Sequence, residues 1–237
     1  MKKYVRARMA AIVLASAAAP AMAADVIPYV EGFGGYSLGT RSGGDGDIVN
    51  GTGFGGDFGS SSNFGGGVGI KIPVDTVAFR FDLTGNFNPS LGGDNHGGTL
   101  SDGTAIGAKV KVNAVAYLAT AYIDMDVGLP VRPFVGFGLG GVHKKTGTVV
   151  FSNPAGDFAT VSGNDHEGVA WTGTVGATYT VIPHVEIDVD YRYIEAGHVN
   201  SGTAFTDLTN GTVQQLNAPI SSNLQIHQFG ATLRYLF

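Results

Sequence analysis

The chain has 237 residues, with 14 basic against 19 acidic side chains, 38 glycines and no cysteine. Lacking thiols, it can build no disulfide framework, thiolate metal site or cysteine nucleophile. Its net charge of −5 makes nucleic acid a poor partner, because that binding rests on clustered Lys and Arg.

The N-terminus opens with Lys2, Lys3, Arg6 and Arg8, continues with a short apolar run from Met9 to Ala19, and reaches Ala21-Met22-Ala23. A basic start, a short apolar middle and an A-x-A site predict a secretory signal peptide over residues 1–23. The apolar run is too short for a membrane-spanning helix, which needs roughly 20 residues. Cleavage after Ala23 would leave one mature domain, residues 24–237, with 10 basic against 19 acidic residues.

Eight strand-like runs follow: Ile27 to Leu38, Asn63 to Ile72, Val77 to Phe87, Ala108 to Asp124, Val131 to Lys144, Val169 to Val181, Val185 to His198 and Asn223 to Phe237. Aromatic and β-branched residues recur in them with a period of two. Three links are short, at Pro73 to Thr76, Met125 to Pro130 and Ile182 to His184. Four are long and rich in Gly, Asn, Asp, Ser and Thr: Gly39 to Ser62, Asn88 to Gly107, Lys145 to Gly168 and Val199 to Ser222. Alternating short and long links predict an all-β, eight-stranded antiparallel transmembrane barrel with short periplasmic turns and four long extracellular loops.

The strand faces carry the same expectation. Phe229, Ala231, Leu233, Tyr235 and Phe237 oppose Gln228, Gly230, Thr232 and Arg234, and Val185, Ile187, Val189, Tyr191 and Tyr193 oppose Glu186, Asp188, Asp190 and Arg192. Four ionisable residues on one face require water or one another, which a lumen supplies while the apolar face meets lipid. A soluble β-sandwich shares this alternation. Small residues at Gly66, Ala114, Ala116, Gly141, Gly173 and Ala177, assigned to the apolar faces, would pack a sandwich core poorly. The fourth strand is ambiguous: Val110, Val112, Ala114 and Ala116 oppose Lys109, Lys111 and Asn113, but beyond Val115 both faces are apolar.

The signal peptide, Pro28-Tyr29-Val30 with Gly35-Tyr36, Tyr191-Arg192-Tyr193-Ile194 and the final Tyr235-Leu236-Phe237 resemble the small opacity-type and OmpA-like outer-membrane barrels across the whole mature chain. The resemblance implies an eight-stranded barrel in the Gram-negative outer membrane, in contact with outer-membrane lipid and lipopolysaccharide. It also implies that the terminal aromatic, here Phe237, is read by the barrel-assembly machinery. Tyr36, Phe87, Trp171, Tyr191 and Tyr193 at an outer rim, and Tyr122, Tyr179, Tyr235 and Phe237 at an inner one, are the expected membrane-interface aromatics.

The expected lumen charges are Glu31, Lys71, Arg80, Asp82, Lys109, Lys111, Arg132, Glu186, Asp188, Asp190, Arg192 and Arg234. Because eight strands enclose little more than their own side chains, these charges read as a paired plug more readily than as an ion path. No cofactor and no metal site is expected, since the histidines show no ligand spacing. Gly43-Gly44-Asp45-Gly46-Asp47 occurs once and reads as loop rather than as a calcium repeat. The expected function is non-enzymatic: envelope structure and adhesin-like contact with a host or matrix ligand, through loop residues such as Asp45, Asp47, Asp57, Asp94, Asp157 and Asp165. Two alternatives remain. One is a narrow porin-like channel or conduit for small solutes, favoured by Val115, Tyr117, Ala119 and Ile123. The other is a lipid-modifying enzyme built on Ser201, His198 and Glu195, which would need those side chains in hydrogen-bond reach.

Overall fold

The computed structural model describes residues 26–42, 57–99 and 104–237; the predicted signal peptide, Asp45 and Asp47 lie outside them. The described residues form β1 (Ile27–Ser42), β2 (Gly59–Val74), β3 (Val77–Thr99), β4 (Ala105–Met125), β5 (Val131–Thr146), β6 (Val149–Asn153), β7 (Gly156–Val161), β8 (Asn164–Ile182), β9 (Val185–Asn200), β10 (Ala204–Asp207), β11 (Val213–Gln215) and β12 (Ser221–Leu236). Eight long strands pair antiparallel in the ring β1-β2-β3-β4-β5-β8-β9-β12, and β12 returns to β1 from Tyr29↔Leu236 to Ser42↔Asn223. Closure removes the sheet edges that hydrocarbon cannot satisfy.

The short links are tight. Asp75 and His184 adopt left-handed backbone conformations, with φ of 49° and 70°. His184 Nδ1 lies 3.0 Å from the Leu236 carbonyl, and the Leu236 amide donates back to the His184 carbonyl at 2.8 Å. That reciprocal pair ties the last short turn to the end of β12.

The strands are longer than the expected runs. β4 holds 21 residues, about twice the 9–11 needed to cross a bilayer, so the barrel continues beyond the lipid on the long-loop side. There β6 pairs with β4 at Gly107 to Lys109, β7 with β6, β10 with β7 and β11 with β10. Ala108, Val149, Phe151, Ala159 and Val161 are buried together beneath this sheet, with Phe158, Phe205, Leu216 and Ile220 packed against them. The links Lys145 to Gly168 and Val199 to Ser222, expected as loops, thus carry four short strands with an apolar core of their own.

Candidate functional site

The lumen is built in layers. At the short-turn end the inward residues of seven strands meet in one ion network. Arg234 Nη2 lies 2.6 Å from Asp188 Oδ2 and 3.2 Å from Glu31 Oε2, and its Nη1 lies 3.1 Å from Glu186 Oε2. Lys71 Nζ donates to Glu186 Oε1 at 2.6 Å, and Arg132 donates to the same oxygen. Arg80 Nε donates to Asp124 Oδ1 at 2.9 Å, and its guanidinium lies 4.5 Å from the Tyr122 ring centroid. Apart from Arg132, whose side chain is 29% exposed, these charges are almost wholly buried, so each depends on its partners rather than on water.

Arg192 is held differently. Its guanidinium lies 5.0 Å from the Phe33 ring centroid, and its Nε has no hydrogen-bond partner among the described residues. With Asp82, Asp190 and Thr174 it lines a cavity of about 10 Å³, room for about one water.

A neutral amide layer follows. Gln228 Nε2 donates to Asn88 Oδ1 at 2.8 Å, Asn86 Nδ2 donates to Gln228 Oε1 at 2.8 Å, Asn88 Nδ2 donates to Asn86 Oδ1 at 2.9 Å, and Ser37 Oγ donates to Asn88 Oδ1 at 2.8 Å. Above it the lumen is apolar: Leu91, Val112, Ala114, Ala116, Val142, Ala170, Ile194, Leu224 and Ile226 are buried in one cluster.

This layering corrects several expectations. Lys109 and Lys111 do not face the lumen; both are exposed on the outer face of β4, while Val112 and Ala114 point inward. The β4–β5 register is unbroken from Val112 to Asp124, so one parity holds along this stretch and the polarity of the two faces exchanges above the bilayer. For the same reason Ala114 and Ala116 belong to the interior, and Tyr117, Ala119 and Ile123 face outward, so they line no conduit. Tyr122, expected at the inner membrane interface, is 4% exposed and sits in the ion network. Tyr36, Trp171, Tyr179, Tyr235 and Phe237 are exposed on the outer face. Phe87 packs edge-on against Phe64 at 5.2 Å, while Tyr193 lies tilted against Trp171 at 5.1 Å and Tyr191 against Phe229 at 5.0 Å.

Asp124 and Lys144 belong to the interior but escaped the sequence reading. Asp124 shares the parity of Thr120 and Tyr122, which could have revealed it. Lys144 sits in an apolar setting that no charge pattern announces. The Ser201 hydroxyl donates to the Gly202 carbonyl at 2.7 Å and accepts from the Ile220 amide at 2.9 Å, while Glu195 accepts from Tyr193 and Gln225. The three side chains considered for lipid chemistry are therefore engaged elsewhere or, for His198, exposed. Asp57, Asp157 and Asp165 are exposed; the side chain of Asp94 lies outside the described residues.

Several known proteins are similar to this chain. Outer membrane protein PagN of Salmonella typhimurium is 29% identical over 149 residues, covering 58% of this chain and 59% of that protein. An uncharacterised protein of Brucella melitensis is 26% identical over 155 residues, covering 61% of this chain and 54% of its own. The chain thus spans less than two thirds of the curated relatives it matches. Among solved structures, Neisserial surface protein A aligns with a TM-score of 0.48 at 18% identity, covering 89% of this chain and 97% of that one. OprG from Pseudomonas aeruginosa aligns with a TM-score of 0.44 at 10% identity, covering 88% and 96%. The family model for the outer membrane protein beta-barrel domain matches residues 9–237. The chain therefore belongs to that family, as a small eight-stranded barrel of the Gram-negative outer membrane.

Proposed function

We propose that this protein is a non-catalytic barrel whose role is surface interaction, in the manner of an adhesin, with envelope integrity as its structural contribution. The observation that carries this reading is the outer sheet of β6, β7, β10 and β11, joined to β4 by backbone pairing and underlaid by its own apolar cluster. A filled lumen beneath it supplies a rigid base. Rigid presentation lowers the ordering cost of binding a host or matrix ligand. Asp157 and Asp165 are exposed on or beside this sheet and would be first contacts, with Asp57 on the neighbouring long link. Lipopolysaccharide around the barrel and the assembly machinery at Phe237 complete the proposed partners.

The test is adhesion of cells displaying the full chain to extracellular matrix and to epithelial cells. Replacing residues 149–161 and 204–215 with short Gly-Ser links removes β6, β7, β10 and β11 and is expected to abolish the adhesion gained from the wild type. Undiminished adhesion with a folded barrel at the surface would overturn the reading. In planar bilayers the refolded protein is expected to show no discrete conductance steps, because the ion network and the apolar layer close the axis.

A further inference from the structure

One position on the outer face of the barrel wall is left empty between aromatic rings. Gly173 of β8 pairs with Phe137 of β5 on one side and with Tyr193 of β9 on the other, and all three face outward. Trp171, two residues higher on the same face, stacks on Phe137 with ring centroids 6.2 Å apart and lies tilted against Tyr193 at 5.1 Å. A Cβ built on Gly173 would meet no atom within 4 Å. Three rings therefore surround an open notch whose floor is backbone.

Glu195 forms the upper edge of this notch. It pairs across from Trp171 and stands two residues above Tyr193 on the outer face of β9. Its Oε2 accepts from the Tyr193 hydroxyl at 2.7 Å and from Gln225 Nε2 at 3.0 Å, which fixes the carboxylate beside the ring. Its Oε1 makes no hydrogen bond, and the carboxylate no ion pair, among the described residues. Lys144 feels this charge from the lumen side, but its Nζ donates to the carbonyls of Ala196 and His198. On β12 the outward neighbours are Gln225, opposite Glu195, and His227, opposite Tyr193; His227 is itself engaged by the Tyr191 hydroxyl and Thr40.

The outer face of β9 thus passes upward from the exposed Ile187 and Val189 through Tyr191 and Tyr193 to a carboxylate. Aromatic rings mark the level where hydrocarbon meets headgroups, so Glu195 stands among the headgroups. Lipid packed there strips water from the carboxylate, and a carboxylate losing water requires a cation. The rings call for the same group, because an aromatic face attracts an ammonium while Oε1 is left to accept its hydrogen bond. We propose that this notch binds the primary ammonium of an amine-bearing lipid headgroup in the outer leaflet, lodged among Phe137, Trp171 and Tyr193 and hydrogen-bonded to Glu195 Oε1. The site lies on the barrel wall, apart from the outer sheet, and is independent of adhesion.

Trp171 is the only tryptophan in the chain, so its fluorescence reports on the notch directly. The refolded protein is reconstituted in phosphatidylglycerol vesicles, with EDTA present so that no divalent cation bridges anions. Quenching is then measured with brominated-chain phosphatidylethanolamine, phosphatidylcholine or phosphatidylglycerol at equal mole fraction. The ethanolamine lipid is expected to quench as though bound severalfold more tightly than the other two. Glu195→Gln removes the charge but keeps an acceptor for Tyr193 and Gln225, and Gly173→Leu fills the notch at a position with open space. Each is expected to abolish the preference while the unheated protein keeps its compact gel mobility. Equal quenching by the ethanolamine and glycerol lipids in the wild type, or a preference that survives Glu195→Gln, would overturn the proposal. Choline ranking level with ethanolamine would overturn the hydrogen bond to a primary ammonium. Adhesion of cells displaying Glu195→Gln is expected to match wild type, which separates this proposal from the adhesive reading.

Discussion

The lower and upper halves of this barrel use opposite rules in the same strands. In β4, Thr120, Tyr122 and Asp124 point into an ion network while Ala119, Ala121 and Ile123 face outward; a few residues higher, Val112 and Ala114 point inward while Lys109 and Lys111 face outward. The surrounding medium decides. Against hydrocarbon, an apolar outer face is free of desolvation cost and the charges must find one another inside. Above the bilayer the same wall is wetted from outside, so burying the apolar face inward becomes the favourable arrangement, as in a soluble protein. The Asn86, Asn88 and Gln228 amides stand at the boundary, neutral but fully bonded.

The sharpest way to break the lower half is to remove its hub. Arg234→Met leaves Glu31, Glu186 and Asp188 without their shared cation, and loss of one partner from a buried network costs ~3–5 kcal/mol. The measurement is the urea midpoint of the lipid-reconstituted barrel, followed by unheated gel mobility. In the upper half, Leu224→Ala empties a fully buried position in the apolar cluster and is expected to cost about 2–5 kcal/mol in the same assay. At the boundary, Gln228→Leu removes the donor to Asn88 and the acceptor for Asn86. A loss of ~1–3 kcal/mol is expected from the polar groups left behind. A Gln228→Leu barrel as stable as wild type would mean that those amides find water, and that the lumen is wetter at this height than its geometry indicates.

Much of this arrangement is legible in the chain itself. Period-two alternation identifies which residues share a face, and the short and long links identify which end of each strand is which. Alternation does not say which face is wet. In β12 the choice is forced, because Phe229, Leu233 and Tyr235 oppose Arg234. In β4 it is not forced, because Lys109 and Lys111 satisfy a polar lumen and a watery exterior equally well. Only the continuous β4–β5 register, which carries the parity of Asp124 up to Val112, decides between them. The outer strands had a fair signal, Val149 with Phe151 and Ala159 with Val161, obscured by the Gly, Ser and Asn around them. Lys144 had none: a lysine whose partners are backbone carbonyls leaves no complementary charge in the sequence.

The smallest expected effect is also the one that most directly tests the exchange of faces. Lys111 is exposed on the outer wall at a level where the strand has left the lipid. Reversing its charge with Lys111→Glu should therefore change unfolding stability by no more than about 0.5 kcal/mol, the range for surface positions free of special contacts. Lys71→Glu, by contrast, places a carboxylate beside Glu186 in the buried network and is expected to prevent stable folding. The two lysines have similar sequence surroundings, a charge flanked by apolar neighbours in a strand. A large loss for Lys111→Glu would place that side chain in the interior and return the charged layer to the full height of the barrel, whereas a negligible loss confines it to the segment that lipid surrounds.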